Sequence, residues 1–161
     1  MSDNRFILLA PGAARPGRVP LPSAFAVKAG ADDTEGRLSV LEVTVALDIP
    51  RHVHHEADEC IYVLDGVLAI EFEGEQHLAS AGTFTLLPRG VPHALRRAST
   101  PAPRVLQISS PGGWERHLED LIEAGPAVFT EGALDPVKMN PISAKHAVAY
   151  EEHSRDQSAA Q

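Results

Sequence analysis

Histidines and carboxylates crowd one short segment of the chain, and both groups can bind metal ions. Three of the eight histidines, His52, His54 and His55, fall within four positions. On an extended backbone His52 and His54 leave the same face about 6.6 Å apart, so both imidazoles can reach one ion. His55 faces the other way and is predicted to form a solvated turn with Glu56 and Asp58, although Asp58 could orient a ligand imidazole. The segment therefore fits a solvated loop, a pH-sensitive patch or part of a metal site.

Two further groups could complete a metal site. Glu59 begins a run whose apolar residues share its parity, and a buried carboxylate is costly unless it is paired or coordinates a cation. The segment "GTFTLLPRGVPH" bends at Pro88 and Gly90 and delivers His93 into the next strand. A β-barrel can bring this histidine beside the first pair. Three neutral imidazoles and one carboxylate suit one divalent transition metal ion, namely iron, manganese, nickel, cobalt, copper or zinc.

Short strands with one buried face must position these groups. One such strand carries its inward residues at alternate positions, at Leu41, Val43, Val45 and Leu47. The runs "ECIYVL" and "VLAIEFEG" flank Asp65-Gly66, a dipeptide that predicts a two-residue hairpin. "SAFAVKAG", "GTFTLLP", "PHALRR" and "RVLQIS" supply further strands. Strands recurring at this spacing are typical of a sandwich or a closed barrel.

The order of these patterns predicts four regions. Residues 1–24 form an N-terminal arm that contains a strand at 5–10, and residues 25–110 form the barrel. Residues 111–150 form a helical segment that packs on the barrel, because "PGGWERHLEDLIEAG" has an amphipathic pattern with a glycine stop. Residues 151–161 are polar and are predicted to be disordered.

The apolar face of the predicted helix carries Trp114, Leu118 and Leu121 and is expected to cap the barrel. Covering a dimer partner is the second choice for this face. The histidines outside the two segments described above lie among polar residues and are predicted to be at the surface. They are His77, His117, His146 and His153.

The bulk properties exclude several classes of partner. A chain of 161 residues with 43% hydrophobic and 22% charged residues is most simply one globular domain. Its formal net charge of -8 disfavours nucleic-acid binding, and no apolar run approaches the roughly 20 residues that span a bilayer. The single cysteine, Cys60, cannot form an intramolecular disulfide, which favours a cytoplasmic location.

Two spaced motifs resemble those of a known family. They read His52-x-His54-x4-Glu59-x6-Gly66 and Gly82-x5-Pro88-x-Gly90-x2-His93. Both resemble the two motifs of the cupin superfamily. The phrases "HVHHEADECIYVLDG" and "LLPRGVPHAL" are especially similar to its single-domain, quercetin 2,3-dioxygenase-like group.

The resemblance implies an all-β double-stranded β-helix, or jelly-roll barrel, with short C-terminal helices and one metal ion inside. The ligand positions of the family fall on His52, His54, Glu59 and His93. One departure is Ala46, which stands where a glycine often precedes the first histidine.

A second departure bears on substrate binding. Arg97 stands where the second motif often ends in asparagine. Its guanidinium either lies near the barrel mouth, where it would favour an anionic substrate, or extends into solvent, which we expect. Phe72, Phe84 and Arg97 are the candidate substrate-binding residues, although the two phenylalanines fit the core equally well.

The resemblance also implies a reaction. A metal-dependent dioxygenase of this group would cleave a small enolic or phenolic, flavonol-like compound with O2, with Glu59 acting first as a ligand and then as a general base. Two alternatives stay open: a non-oxidative cyclase, isomerase or lyase of polyketide-type metabolism, and a cupin that binds a small molecule without catalysis. A homodimer is expected from the resemblance alone.

Overall fold

Two antiparallel β-sheets enclose the core. The computed structural model describes residues 5–153. The strands are β1 (Phe25–Ala29), β2 (Ser39–Thr44), β3 (Ile49–His54), β4 (Asp58–Asp65), β5 (Val67–Phe72), β6 (Glu75–Ser80), β7 (Phe84–Leu87), β8 (His93–Arg97), β9 (Arg104–Ser110), β10 (Phe129–Thr130), β11 (Ala133–Leu134) and β12 (Val148–Tyr150). Sheet 1 has the order β1-β2-β9-β4-β7 and sheet 2 the order β12-β3-β8-β5-β6, while β10 and β11 form a separate pair. The all-β jelly-roll prediction is confirmed.

Two α-helices of the described chain lie between β9 and β12. They are α1 (Trp114–Ala124) and α2 (Pro136–Ser143), with 3-10 turns at Ala31–Asp33, Gly125–Val128 and Ala144–His146. The side chain of Asp135 caps α2 by accepting a hydrogen bond from the Val137 amide. We call α1, α2 and the turns beside them the cap. No helix within residues 5–153 is long and apolar enough to cross a membrane.

Side chains at every second position of the strands form the core between the sheets. Leu41 and Ile61 of sheet 1 belong to one buried cluster with Leu68 and Leu95 of sheet 2. Burial of each such side chain contributes roughly 1.5–3 kcal/mol. Leu47 was expected to join them, but it is 51% exposed. The reason is that β2 ends at Thr44, so Leu47 lies in the connection to β3.

The predicted strand at residues 5–10 is absent from the structure, and this prediction is wrong. Phe6 and Leu8 are 80% and 83% exposed, and the segment has no strand pairing. Extended backbone forms a strand only where a neighbour completes its hydrogen bonds, and Pro11 turns the chain before it reaches the barrel. The strand predicted from "SAFAVKAG" is present as β1, at the edge of sheet 1.

The hairpin predicted at Asp65-Gly66 is also wrong, because β4 and β5 belong to different sheets. Gly66 instead makes a corner with φ 75°, and a Cβ atom there would lie 2.7 Å from Ser99 Oγ and 2.9 Å from Pro103 Cα. Only glycine fits this close approach. The neighbouring β5–β6 connection is the two-residue hairpin, with Phe72 opposite Glu75.

Residues 111–150 were expected to form a helical segment, and α1, α2 and two 3-10 turns lie there, but the region also contains β10 and β11 and ends in the strand β12. β12 pairs antiparallel with β3 and forms an edge of sheet 2. The predicted disorder over residues 151–161 does not begin at Glu151, whose amide donates to the Arg51 carbonyl at 2.8 Å. Residues 154–161 lie outside the described residues.

Candidate metal centre

Four side chains from three strands meet inside the barrel. His52, His54, Glu59 and His93 each offer one ligand atom, and these atoms lie within 4.8 Å of one another. The four residues are between 1% and 4% exposed. The structure therefore brings together the four residues that the sequence nominated, and the cluster fits a single metal ion. We call His52, His54 and His93 the barrel histidines.

The two sheets contribute different ligand types. His52 and His54 lie on β3, and His93 lies opposite His52 on β8, so sheet 2 carries all three imidazoles. Glu59 lies on β4 in sheet 1. An ion bound by all four groups would therefore connect the two sheets across the core.

Backbone carbonyls orient two of the imidazoles. His52 Nδ1 lies 2.8 Å from the Pro50 carbonyl oxygen, and His93 Nδ1 lies 3.4 Å from the Val91 carbonyl oxygen. A proton on Nδ1 satisfies each carbonyl and leaves the Nε2 lone pair free. This is the tautomer that a metal ion requires from an Nε2 ligand.

Glu59 is held by one oxygen and free at the other. Gln107 Nε2 donates to Glu59 Oε1 at 2.8 Å. Glu59 Oε2 lies 3.0 Å from His54 Nε2 and 3.2 Å from His93 Nε2, yet none of these three buried atoms has a hydrogen-bond partner. Unpaired buried polar atoms are costly, and a cation between them would satisfy all three at once. The residues present thus fit a divalent ion.

The protonation states also suit metal binding. Burial, together with the neighbouring barrel histidines, lowers the pKa of His52 to about 3, so its imidazole is neutral near pH 7. Burial acts to raise the pKa of Glu59, but His54 and His93 outweigh it and hold that pKa well below its usual range. A positive ion in the same place would keep Glu59 ionised in the same way.

The turn before His93 is tied to the first motif. The Gly90 amide donates to the His54 carbonyl at 2.8 Å, and Gly90 has a φ of 80°. Asp58 accepts from the Arg89 amide at 2.9 Å and from its guanidinium at 3.3 Å. Asp58 was considered as a group that orients an imidazole. It holds this turn instead, and so sets the entry of His93 into β8.

Two residues next to the cluster were missed by sequence reasoning. Gln107 lies on β9 among inward-facing positions, and the signal for it was a polar residue that shares the parity of the buried Val105. Tyr150 pairs with His52 in register on β12, with the two ring centroids 5.0 Å apart. Burial, and then the charge of Glu59, raise the pKa of Tyr150, so its phenol stays protonated.

The cap contributes two more histidines, His117 and His146, which we call the cap histidines. His117 was predicted to be at the surface, but it is 0% exposed, because the apolar face of α1 turns it toward the barrel. Its Nε2 lies 2.8 Å from Ser143 Oγ. His146 is half-buried and its Nε2 lies 2.7 Å from Asp120 Oδ2. His77 is exposed, as predicted.

The three candidate substrate-binding residues lie in different places. Phe72 is partly buried and pairs with His93, so both side chains face inward from sheet 2. Phe84 pairs with Tyr62 on the outer face of sheet 1 and is 61% exposed, so the structure does not bring it to the cluster. Arg97 is exposed, and its guanidinium bonds the Ser99 carbonyl at 3.0 Å in the following loop.

The comparisons with known proteins agree with this architecture. Residues 40–108 match the family described as Cupin domain. Quercetin 2,3-dioxygenase of Bacillus subtilis (strain 168) is 42% identical over 50 residues, which are 31% of this chain and 15% of that protein. The chain therefore spans a small part of its relative's length.

Among solved structures, KdgF from Halomonas sp. is 22% identical, and the similarity covers 61% of this chain and 88% of that one with a TM-score of 0.51. At this identity the likeness concerns the fold alone. The paired sheets, the two motifs and the match over residues 40–108 together show that this chain contains a cupin domain.

Proposed function

We propose that the protein is a metal-dependent dioxygenase that cleaves a small enolic or phenolic compound. The observation that carries the proposal is the buried cluster of three imidazoles and one carboxylate, in which two imidazoles and the carboxylate each leave one atom without a partner. The partial similarity to a quercetin 2,3-dioxygenase supports the choice of reaction. Iron, manganese, nickel, cobalt, copper and zinc all accept this ligand set.

The bound ion would act as a Lewis acid that favours the anionic form of a substrate hydroxyl. The chain's own residues supply the remaining functions. His52 and His93 hold their rings through backbone carbonyls, so they present fixed Nε2 atoms. Glu59 is the general base, because its Oε2 is unpaired while Gln107 keeps Oε1 in place.

The overall reaction balances without an added reductant. The enol hydroxyl gives its proton to Glu59, and O2 adds across the adjacent carbon–carbon double bond. The carbon–carbon bond and the O–O bond both break, one carbon becomes a carboxylic acid and the other a carbonyl, and Glu59 returns the proton. Both oxygen atoms of O2 enter the products, and the substrate supplies all of the electrons.

Oxygen consumption by the purified protein tests the proposal. Metal content is measured first by elemental analysis, and O2 uptake is then followed with quercetin and with smaller enols and phenols. We expect uptake that requires the metal and that Glu59→Gln abolishes. The matched control Glu75→Gln changes an exposed carboxylate on β6 and should retain activity.

Two results would contradict the proposal. Product formed at the same rate in anaerobic buffer would show a non-oxidative isomerase, cyclase or lyase. A metal-loaded protein that binds these compounds without turning any over would be a binding protein. The homodimer and the cytoplasmic location stay predictions.

A further inference from the structure

A cavity of about 330 Å³ lies between the barrel and the cap, beside the metal centre. His54 and Ser109 line it from the barrel, and Trp114, His117 and Lys145 line it from the cap. His54 is one of the four clustered residues, so this cavity borders the metal centre.

A larger cavity of about 830 Å³ lies between the N-terminal arm and α1, and it contains none of the four clustered residues. Its arginines are already paired, since Arg15 bonds Asp33 at 2.8 Å and Arg18 bonds Asp120 at 2.7 Å. The smaller cavity is therefore the one with a chemical connection to the cluster.

Besides His54 Nε2, two buried polar atoms without partners belong to residues that line the smaller cavity. Within residues 5–153, six buried side-chain nitrogen or oxygen atoms have no hydrogen-bond partner. Three are in the metal cluster, and Arg51 Nε lies 3.0 Å from the Glu151 carboxylate. The other two are Ser109 Oγ and His117 Nδ1. Such atoms cost stability unless something else satisfies them, which points to a ligand.

The positions of these two atoms are fixed by the fold. Ser109 pairs with Glu59 across β9 and β4, so its hydroxyl lies on the inner face of sheet 1 beside the carboxylate. His117 is anchored through its Nε2 at 2.8 Å from Ser143 Oγ. Burial lowers the pKa of His117 to about 3, so near pH 7 it is a neutral imidazole with one free nitrogen.

The size of the cavity limits the ligand. A volume of about 330 Å³ holds on the order of eleven water molecules at roughly 30 Å³ each. This is the lower end of the range for small-molecule sites and suits one ring better than a three-ring flavonol. Trp114 forms an apolar wall, with its ring centroid 4.9 Å from that of His54 and 4.5 Å from that of His117.

We propose that this cavity is the substrate pocket and takes a single-ring enol or phenol with two oxygen substituents. One oxygen lies at the metal centre, and Ser109 Oγ and His117 Nδ1 hydrogen-bond the second. This inference rests on the proposed function and narrows its substrate class from flavonol-like compounds to monocyclic ones.

Ligand binding to the metal-loaded protein under nitrogen tests the inference. The probes are catechol with two oxygens, phenol with one, and quercetin with three rings, and calorimetry gives each Kd. We expect wild type to bind catechol about tenfold more tightly than phenol, because the second oxygen forms hydrogen bonds. Ser109→Ala and His117→Gln should remove most of this preference while metal content stays unchanged. His117→Gln keeps a polar group near Ser143 and lacks the Nδ1 position.

Matched controls separate binding from folding. Ser110→Ala removes an exposed neighbouring hydroxyl that bonds the Arg37 carbonyl, and His77→Gln changes an exposed histidine. Both should keep the preference for catechol. Ser109→Ala should keep or raise the Tm, because it removes an unpaired buried hydroxyl.

An unchanged preference in both Ser109→Ala and His117→Gln would overturn the inference, as would tighter binding of quercetin than of catechol. Failure of the proposed function is distinguishable. Catechol binding that depends on Ser109 without O2 uptake would leave the pocket standing and remove the dioxygenase. O2 uptake that neither substitution affects would support the dioxygenase and remove the pocket.

Discussion

The barrel histidines and the cap histidines lie close together but use their ring nitrogens differently. In the barrel, Nδ1 of His52 and of His93 meets a backbone carbonyl, while Nε2 of His54 and of His93 has no partner. In the cap, Nε2 is the atom that has a partner: Nε2 of His117 contacts Ser143, and Nε2 of His146 contacts Asp120. The barrel arrangement leaves lone pairs that converge beside an unpaired carboxylate oxygen, whereas the cap leaves Nδ1 of His117 unpaired but has both oxygens of Asp120 occupied.

The difference shows that crowded histidines alone do not indicate a metal site. The nearby carboxylates follow the same division. Glu59 keeps one oxygen unpaired, whereas Asp120 is occupied by His146 at 2.7 Å and by Arg18 at 2.7 Å. A cluster of histidines binds metal when neighbouring groups orient the rings and leave the atoms that would coordinate the ion without other partners. The cap histidines therefore serve packing and ligand contact.

The largest expected effect is loss of the metal ion from a barrel variant. His93→Ala removes one of four ligands and should leave the purified protein with little metal, because three remaining ligands bind far more weakly. His117→Gln in the cap should retain the wild-type amount. Elemental analysis of both variants measures the contrast, and equal metal content in the two would refute it.

The second-largest effect should be the loss of stability when the metal ion is removed. An ion that binds only the folded chain stabilises it by roughly 4 kcal/mol when the free ion concentration is about 1,000 times the Kd. Because the ligands come from both sheets, chelation should lower the free energy of unfolding of the whole barrel. Urea denaturation with and without a chelator measures the change. A chelator effect that persists in His93→Ala would show that the ion binds elsewhere.

Acid should then destabilise the protein through the buried cap histidine. Burial, followed by His146, His52 and His54, lowers the pKa of His117 to about 3, while Asp120 raises it. The unfolded histidine binds a proton below about pH 6.5. Stability due to the neutral ring is therefore complete above pH 6.5 and is lost progressively toward pH 3. Between pH 7 and 5 the loss is roughly 2 kcal/mol.

Denaturant unfolding at these two pH values, with wild type and His117→Gln compared, measures this contribution. The variant should lose less stability on acidification, since glutamine does not titrate. Identical pH dependence in the two proteins would show that His117 is not the group responsible.

The smallest effect should be a weaker affinity for the metal ion when Glu59 loses the hydrogen bond that holds it. Gln107→Leu keeps the size of the side chain but leaves Glu59 Oε1 without its donor at 2.8 Å. Substitution of a residue that orients a metal ligand weakens metal binding by about 10- to 100-fold. Competition with a chromophoric chelator gives the affinity, and Gln76→Leu on exposed β6 is the control. Equal affinity in both variants would mean that Gln107 does not position Glu59.

The sequence predicted this cluster because the face of a strand on which a side chain lies is a local property. His52 and His54 face one way on any extended backbone, and Glu59 shares the parity of the core residues that follow it. The hairpin predicted at Asp65-Gly66 was wrong because strand pairing is not a local property. Asp65-Gly66 specifies a tight bend, but the bend does not determine whether the next strand pairs with the last one or crosses to the other sheet.

The burial of His117 in the cap was not predicted, because it too depends on contacts between elements that are distant in the chain. The residues around His117 in the sequence are polar, and its burial depends on the packing of α2 against α1. β6 carries one buried residue, Ala79, so it lacks an apolar alternation that a sequence pattern could detect. Ser109 and Gln107 lie in a recognised strand, but their unusual contacts depend on strands distant in the chain.

The pairing of β12 with β3 sets the order in which the protein can mature during synthesis. Val148 pairs with His54 and Tyr150 with His52, so the strand that carries two imidazoles stays an open edge until the last described strand arrives. A growing chain that has reached Ser110 already holds all four candidate ligands, but its ligand-bearing edge is exposed to other chains. Translation therefore produces the metal-binding groups first and the strand that protects them afterwards.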